Sequence, residues 1–114
     1  MKASERGALM EAGEILARIY IEENINRLVP MSFPDERDHV MNILSSALQS
    51  KYNYGYGGGS LVKNLVANKL YESFSSSDSV IQKHLCILAA GIEHISFKEI
   101  KEKADKIWKD NNPK

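Results

Sequence analysis

Cysteine is nearly absent: Cys86 is the single thiol in 114 residues. One thiol cannot build an internal disulfide framework, and it fits a reducing compartment. Net charge is absent as well, because fifteen basic side chains balance fifteen acidic ones. No global field draws the molecule toward nucleic acid, and none makes it an acidic mimic of one. Long apolar runs are missing. The longest, Leu85-Cys86-Ile87-Leu88-Ala89-Ala90-Gly91-Ile92, is far too short to span a bilayer. The start, Met1-Lys2-Ala3-Ser4-Glu5-Arg6, is polar and lacks the apolar stretch of a secretory signal. The expectation is a cytoplasmic protein with no membrane partner.

What is present describes an ordinary soluble globule: 43% apolar and 26% charged residues. A chain of this length makes one domain, residues 1–114. Its core would be modest, so self-association would add stability, and a homo-oligomer is expected.

Apolar periodicity predicts an all-α domain of about five helices, at roughly 4–28, 34–50, 60–74, 78–94 and 97–110. In the first, Leu9, Ala12, Gly13, Leu16, Ile19 and Tyr20 recur at three- and four-residue steps. Ile15, Ile21, Ile25 and Leu28 fall off that stripe, so this helix has a broad apolar face or touches neighbours on two sides. Pro30 and Pro34 punctuate a linker. Ser32-Phe33-Pro34-Asp35 then reads as a helix start, since proline tolerates the first turn. Val40, Ile43, Leu44, Ala47 and Leu48 form the second stripe. Leu61, Val62, Leu65, Val66, Leu70 and Phe74 form the third, which Ser75-Ser76-Ser77 breaks. Ser77 or Asp78 caps the fourth helix, whose stripe is Ile81, Leu85, Leu88, Ile92 and Ile95. Ala89, Ala90 and Gly91 would let another backbone approach. Ser96-Phe97-Lys98-Glu99 matches a capping box. Phe97, Ile100, Ala104, Ile107 and Trp108 share one face of the fifth helix.

Between the second and third helices lies Lys51-Tyr52-Asn53-Tyr54-Gly55-Tyr56-Gly57-Gly58-Gly59, a loop by its glycines. Three tyrosines in five residues are unusual for a connector. A helix N-terminus offers unpaired N–H groups and partial positive charge, so it can hold an anion. Gly57, Gly58 and Gly59 would admit a ligand to the backbone, Ser60 would add a hydroxyl and Lys63 a charge. Tyr52, Tyr54 and Tyr56 could stack on a ring. Such a set suits a small anionic, nucleotide-like ligand. It is not a P-loop, because no Gly-Lys-Ser/Thr follows at the required spacing, nor a dinucleotide fingerprint, because no strand precedes it. The same residues also fit a connector whose tyrosines pack on the core or on a partner.

Gly59, the pairs Leu61-Val62 and Leu65-Val66, Asn68-Lys69-Leu70, Ser73, Ser77-Asp78 and Leu85 resemble the pattern of a small family of uncharacterised helical proteins encoded by phages and prophages. The spacing runs without a gap. Lys69 stands where that family has an acid, Ser73 and Ser77 where it has alanines, and Ile81 where it has an asparagine. The resemblance implies a phage origin, a bacterial host cytoplasm and a helical fold. It carries over no functional residue. Small accessory phage proteins often act on host defences or host enzymes by binding them, and the resemblance makes that the expectation here.

The remaining chemistry is sparse. His39, His84 and His94 lack the neighbours that metal ligation needs and read as capping or packing residues. Cys86 lies mid-helix on an apolar face and reads as a buried, inert thiol. Glu11, Glu14 and Glu22, and Asp35, Glu36 and Asp38, read as solvated faces. Lys98, Lys101, Lys103, Lys106 and Lys109 alternate with acids and read as a salt-bridged surface. No catalytic, metal or cofactor set emerges. The expectation is a non-enzymatic binding protein whose partner is a host protein or a small anionic ligand. The alternative is a nucleic-acid-binding regulator using helices two and three, although the spacer between them is longer than such readers use.

Overall fold

The computed structural model describes residues 3–24, 34–55, 59–75, 77–78, 81–82 and 84–111. Among them every regular element is helical: α1 (Ala3–Asn24), α2 (Pro34–Tyr52), α3 (Ser60–Val66), α4 (Leu70–Ser75), α5 (Leu85–His94) and α6 (Phe97–Asn111). α1 packs chiefly on α6 and α2, and α2 also covers α3 and α5. One buried cluster runs through α1, α2, α3, α5 and α6. The all-α expectation therefore holds, with six helices in place of about five. The expected end of the first helix, 25–28, and the Ser32 cap lie outside the described residues.

Local chemistry explains several boundaries. α2 begins at Pro34, as the proline rule requires. At the start of α6 both halves of the capping box are made: the Glu99 N–H donates to Ser96 Oγ at 3.2 Å, and the Ser96 N–H donates to Glu99 Oε1 at 3.3 Å. Asp78 Oδ1 accepts from the Ile81 N–H at 2.9 Å, the bond of an N-cap.

The third helix of the sequence reading is two helices. Asn68 takes a left-handed conformation, φ 60°, and its N–H donates to Leu65 O while that of Lys69 donates to Asn64 O, at 3.1 and 2.9 Å. These paired bonds are a Schellman closure, in which asparagine does the work usually given to glycine. The fourth predicted helix is interrupted too. A helical turn opens at Asp78, but His84 departs from helical geometry (φ −116°, ψ 17°), and the helix proper starts after it at Leu85.

The apolar stripes are largely as expected in α2 and α5. Val40, Leu44, Ala47 and Leu48 are buried, as are Ile81, Leu85, Leu88, Ile92 and Ile95. Gly91 is where α5 meets its neighbours most closely: a Cβ there would lie 2.9 Å from a Leu44 methyl and 3.2 Å from the Tyr20 ring. α1 is buried on two sides, one of the two options its sequence left open: Leu9, Ala12 and Gly13 of the expected stripe are buried, and so is Ile21 off that stripe, whereas Ile19 is 42% exposed. α1 faces both α2 and α6, so its buried surface follows Leu9, Ala12, Ala17 and Ile21.

Cys86 corrects a second reading. The thiol is exposed, because it lies with Ala89 and Glu93 on the outward stripe of α5, while Ile87, Leu88 and Ile92 face inward. Ellman's reagent should therefore titrate one thiol per folded chain without denaturant. A thiol that reacts only after unfolding would contradict this placement.

Candidate functional site

The predicted tyrosine–glycine site is divided by the fold. Tyr52 is the last residue of α2, not a loop residue. Its hydroxyl donates to the Ile95 carbonyl at 2.7 Å, and its ring lies 5.5 Å from that of Phe97. Beside it, Lys51 Nζ donates to the Ile92 carbonyl at 2.6 Å and sits 5.1 Å from the centre of the Tyr52 ring. Together they serve carbonyls at the C-terminal end of α5, where positive charge is favoured by the helix dipole. Both side chains are therefore committed to structure.

Tyr54 is more deeply committed. Asn53 adopts φ 56°, and the Tyr54 N–H reaches back to the Gln49 carbonyl at 3.2 Å, a Schellman-type closure of α2. This turn drives the Tyr54 ring into the core, where it is 1% exposed, against Gly13 of α1 and 6.4 Å from Phe97. Among the described residues the hydroxyl has no hydrogen-bond partner there. Burial, and secondarily the neighbouring Tyr52, push its phenol well above the usual range. The Tyr54 ring is enclosed, and the Tyr52 ring is half-buried against Phe97.

Tyr56, Gly57 and Gly58 lie outside the described residues. Gly59 is the N-cap of α3, in extended backbone with open space around it, and Ser60 and Lys63 are exposed beside it. α3 has seven residues, too few aligned peptides for a strong dipole. The fold keeps Gly59, Ser60 and Lys63 together and turns the two described tyrosines away from them.

A different concavity stands out. Between the start of α1 and the body of α6 lies a cleft of about 300 Å³, lined by Glu5, Ala8, Leu9, Phe97, Lys101, Ala104, Asp105 and Trp108. Its volume is at the lower end of small-ligand sites. Trp108, the chain's only tryptophan, is 44% exposed there. The sequence placed Phe97, Ala104 and Trp108 on one helical face but gave no sign that α1 would cover that face incompletely.

The histidines are scattered. His39 Nε2 lies 2.8 Å from Asp78 Oδ2 at the surface, His84 is buried, and the His94 ring is stacked 6.4 Å from Tyr20. Among the described residues, no group of three or more His, Cys, Asp or Glu side chains is placed to hold a metal ion. Likewise, no helix among them is long and apolar enough to cross a membrane. No protein family, curated protein or solved structure matches the chain.

Proposed function

We propose that this chain is a non-enzymatic accessory protein of the kind phages encode, acting by stoichiometric binding of a component of the host cell. The contact surface is the cleft between α1 and α6. The observation that carries this reading is the half-exposed indole of Trp108 over an apolar floor. Tryptophan is the side chain most enriched among binding hot spots, and a rigid ring beside a preformed hollow loses little entropy on contact. The target is a host factor or a small ligand, and interference with host defence is the role this suits.

The experiment is native mass spectrometry of the chain purified from a bacterial host. The wild type should carry a bound mass in fixed ratio. Trp108→Ala should reduce occupancy by about tenfold or more, the effect of losing a hot-spot residue, with far-UV helicity retained. Lys63→Ala should leave occupancy unchanged. Occupancy that survives Trp108→Ala but falls with Lys63→Ala would overturn the cleft and return the contact to the start of α3. If a nucleic acid were the bound mass and its affinity fell steeply with salt, the regulator reading would replace this one.

A further inference from the structure

We infer that the α1–α6 cleft is built for a small zwitterion with an apolar side chain, namely a free hydrophobic α-amino acid. This rests on the reading that the cleft is the contact surface, and it adds the chemistry of the occupant. The lining divides into two parts. Ala8, Leu9 and Ala104 form an apolar floor beside Phe97 and Trp108, and Lys101 and Asp105 bring one charge of each sign to the same hollow. Lys101 and Asp105 are one helical turn apart on α6, so their side chains stand as neighbours about 6 Å apart along the axis. Among the described residues, neither is held in an ion pair.

Charge complementarity narrows the ligand. A fatty acid would satisfy Lys101 and place its carboxylate beside Asp105 without a counter-charge. An alkylamine would satisfy Asp105, with Glu5 as a second acid nearby, but would leave Lys101 without an anion. A nucleotide would bring its phosphates against Asp105, with Glu5 as a further acid on the α1 side. An α-amino acid carries both charges on groups bonded to one carbon, its carboxylate toward Lys101 and its ammonium toward Asp105. Its side chain then points to the floor and the aromatic walls. The volume of about 300 Å³ accommodates one such molecule. Because both charged groups are exposed, selectivity between charge types is the expected signature, with modest affinity.

The test uses the full chain and the fluorescence of its only tryptophan, Trp108, as the direct reporter of the cleft. L-Leucine and L-phenylalanine are titrated alongside glycine and the one-charge analogues of leucine, isoamylamine and 4-methylpentanoate. Saturable changes are expected for the two apolar amino acids, at least about tenfold tighter than for glycine or either analogue. Lys101→Met and Asp105→Asn should each weaken leucine binding about tenfold, with unchanged thermal unfolding. Analogues that bind as well as leucine would overturn the zwitterion class. So would the absence of any saturable response up to about 50 mM, a ceiling already weaker than the millimolar range in which a contact of only about 4 kcal/mol registers. In that second case, a bound mass that still depends on Trp108 would leave the binding reading standing, and its loss would remove both.

Discussion

Tyr54→Ala should lower the unfolding free energy by about 3–5 kcal/mol, the range for deleting a buried aromatic ring. Tyr54→Phe should leave stability unchanged or raise it by about 1 kcal/mol, because the hydroxyl it removes is buried without a partner. The contrast separates the ring, which fills the space beside Gly13 and Phe97, from the oxygen, which is only a cost. Gly13 supplies the control. A Cβ on Gly13 would collide with the Tyr54 hydroxyl, whereas the next ring atom, Cζ, is 3.3 Å away. Gly13→Ala should therefore cost about 1–3 kcal/mol in the wild type and close to nothing in the Tyr54→Phe background, where the intrinsic helix preference of alanine also contributes. Urea unfolding of the four proteins measures the coupling. Additivity within about 0.5 kcal/mol would show that the two residues do not touch.

The same residue sets an alkaline limit. The folded state holds the Tyr54 phenol protonated beyond the pH at which the unfolded chain's phenol, near 10, ionises. Above that value the unfolded state binds fewer protons than the folded one, so stability falls as pH rises. Below it the contribution is fully present. Wild type should lose stability relative to Tyr54→Phe between about pH 10 and 11.5. Parallel curves for the two proteins would place the phenol in water.

Gly91→Val should lower stability by about 1–3 kcal/mol through overpacking, or roughly 4–12 °C in Tm for a domain of this size. The new side chain would meet Leu44, which is fully buried, and the Tyr20 ring. Leu44 cannot retreat, because Val40 and Leu48 on the same face of α2 are also fully enclosed. Leu44→Ala alone should cost about 2–5 kcal/mol by leaving a cavity. In the double variant valine occupies part of the vacated space, so the losses should sum to at least about 1 kcal/mol less than the singles together. Strict additivity would mean that α5 does not approach α2 at this point.

Much of the fold was legible because its signals are local. The capping box at Ser96 and Glu99, the proline start of α2 and the cap at Asp78 depend on bonds within a few residues. The stripe Ile81, Leu85, Leu88, Ile92 and Ile95 needs only helical spacing to be recognised, and all five are buried. The misreadings have a common origin. Asn68 as a helix stop depends on a left-handed turn that asparagine adopts in some contexts and not in others. Ile19 and Ile21 are chemically equivalent, so the choice between them waits on which neighbours α1 meets. Cys86 resembles its apolar neighbours, and only the orientation of α5 turns it outward.

The candidate site follows the same division. Tyr52 and Tyr54 stood out as an aromatic cluster, yet their role was set by distant partners: the Ile95 carbonyl for one and the Gly13 surface for the other. The cleft, by contrast, carried no local signature.

The sequence by itself determined the helical class, most element starts and the apolar stripes of α2 and α5, because hydrogen bonds within a turn and the 3.6-residue repeat are properties of neighbouring residues. Only the tertiary structure decided which face of α1 is buried, how deeply Tyr54 is withdrawn from solvent and where α1 and α6 leave a cleft beside Trp108. Those outcomes depend on the distance and rotation between helices far apart in the chain, and packing sets both through side chains that no local window contains.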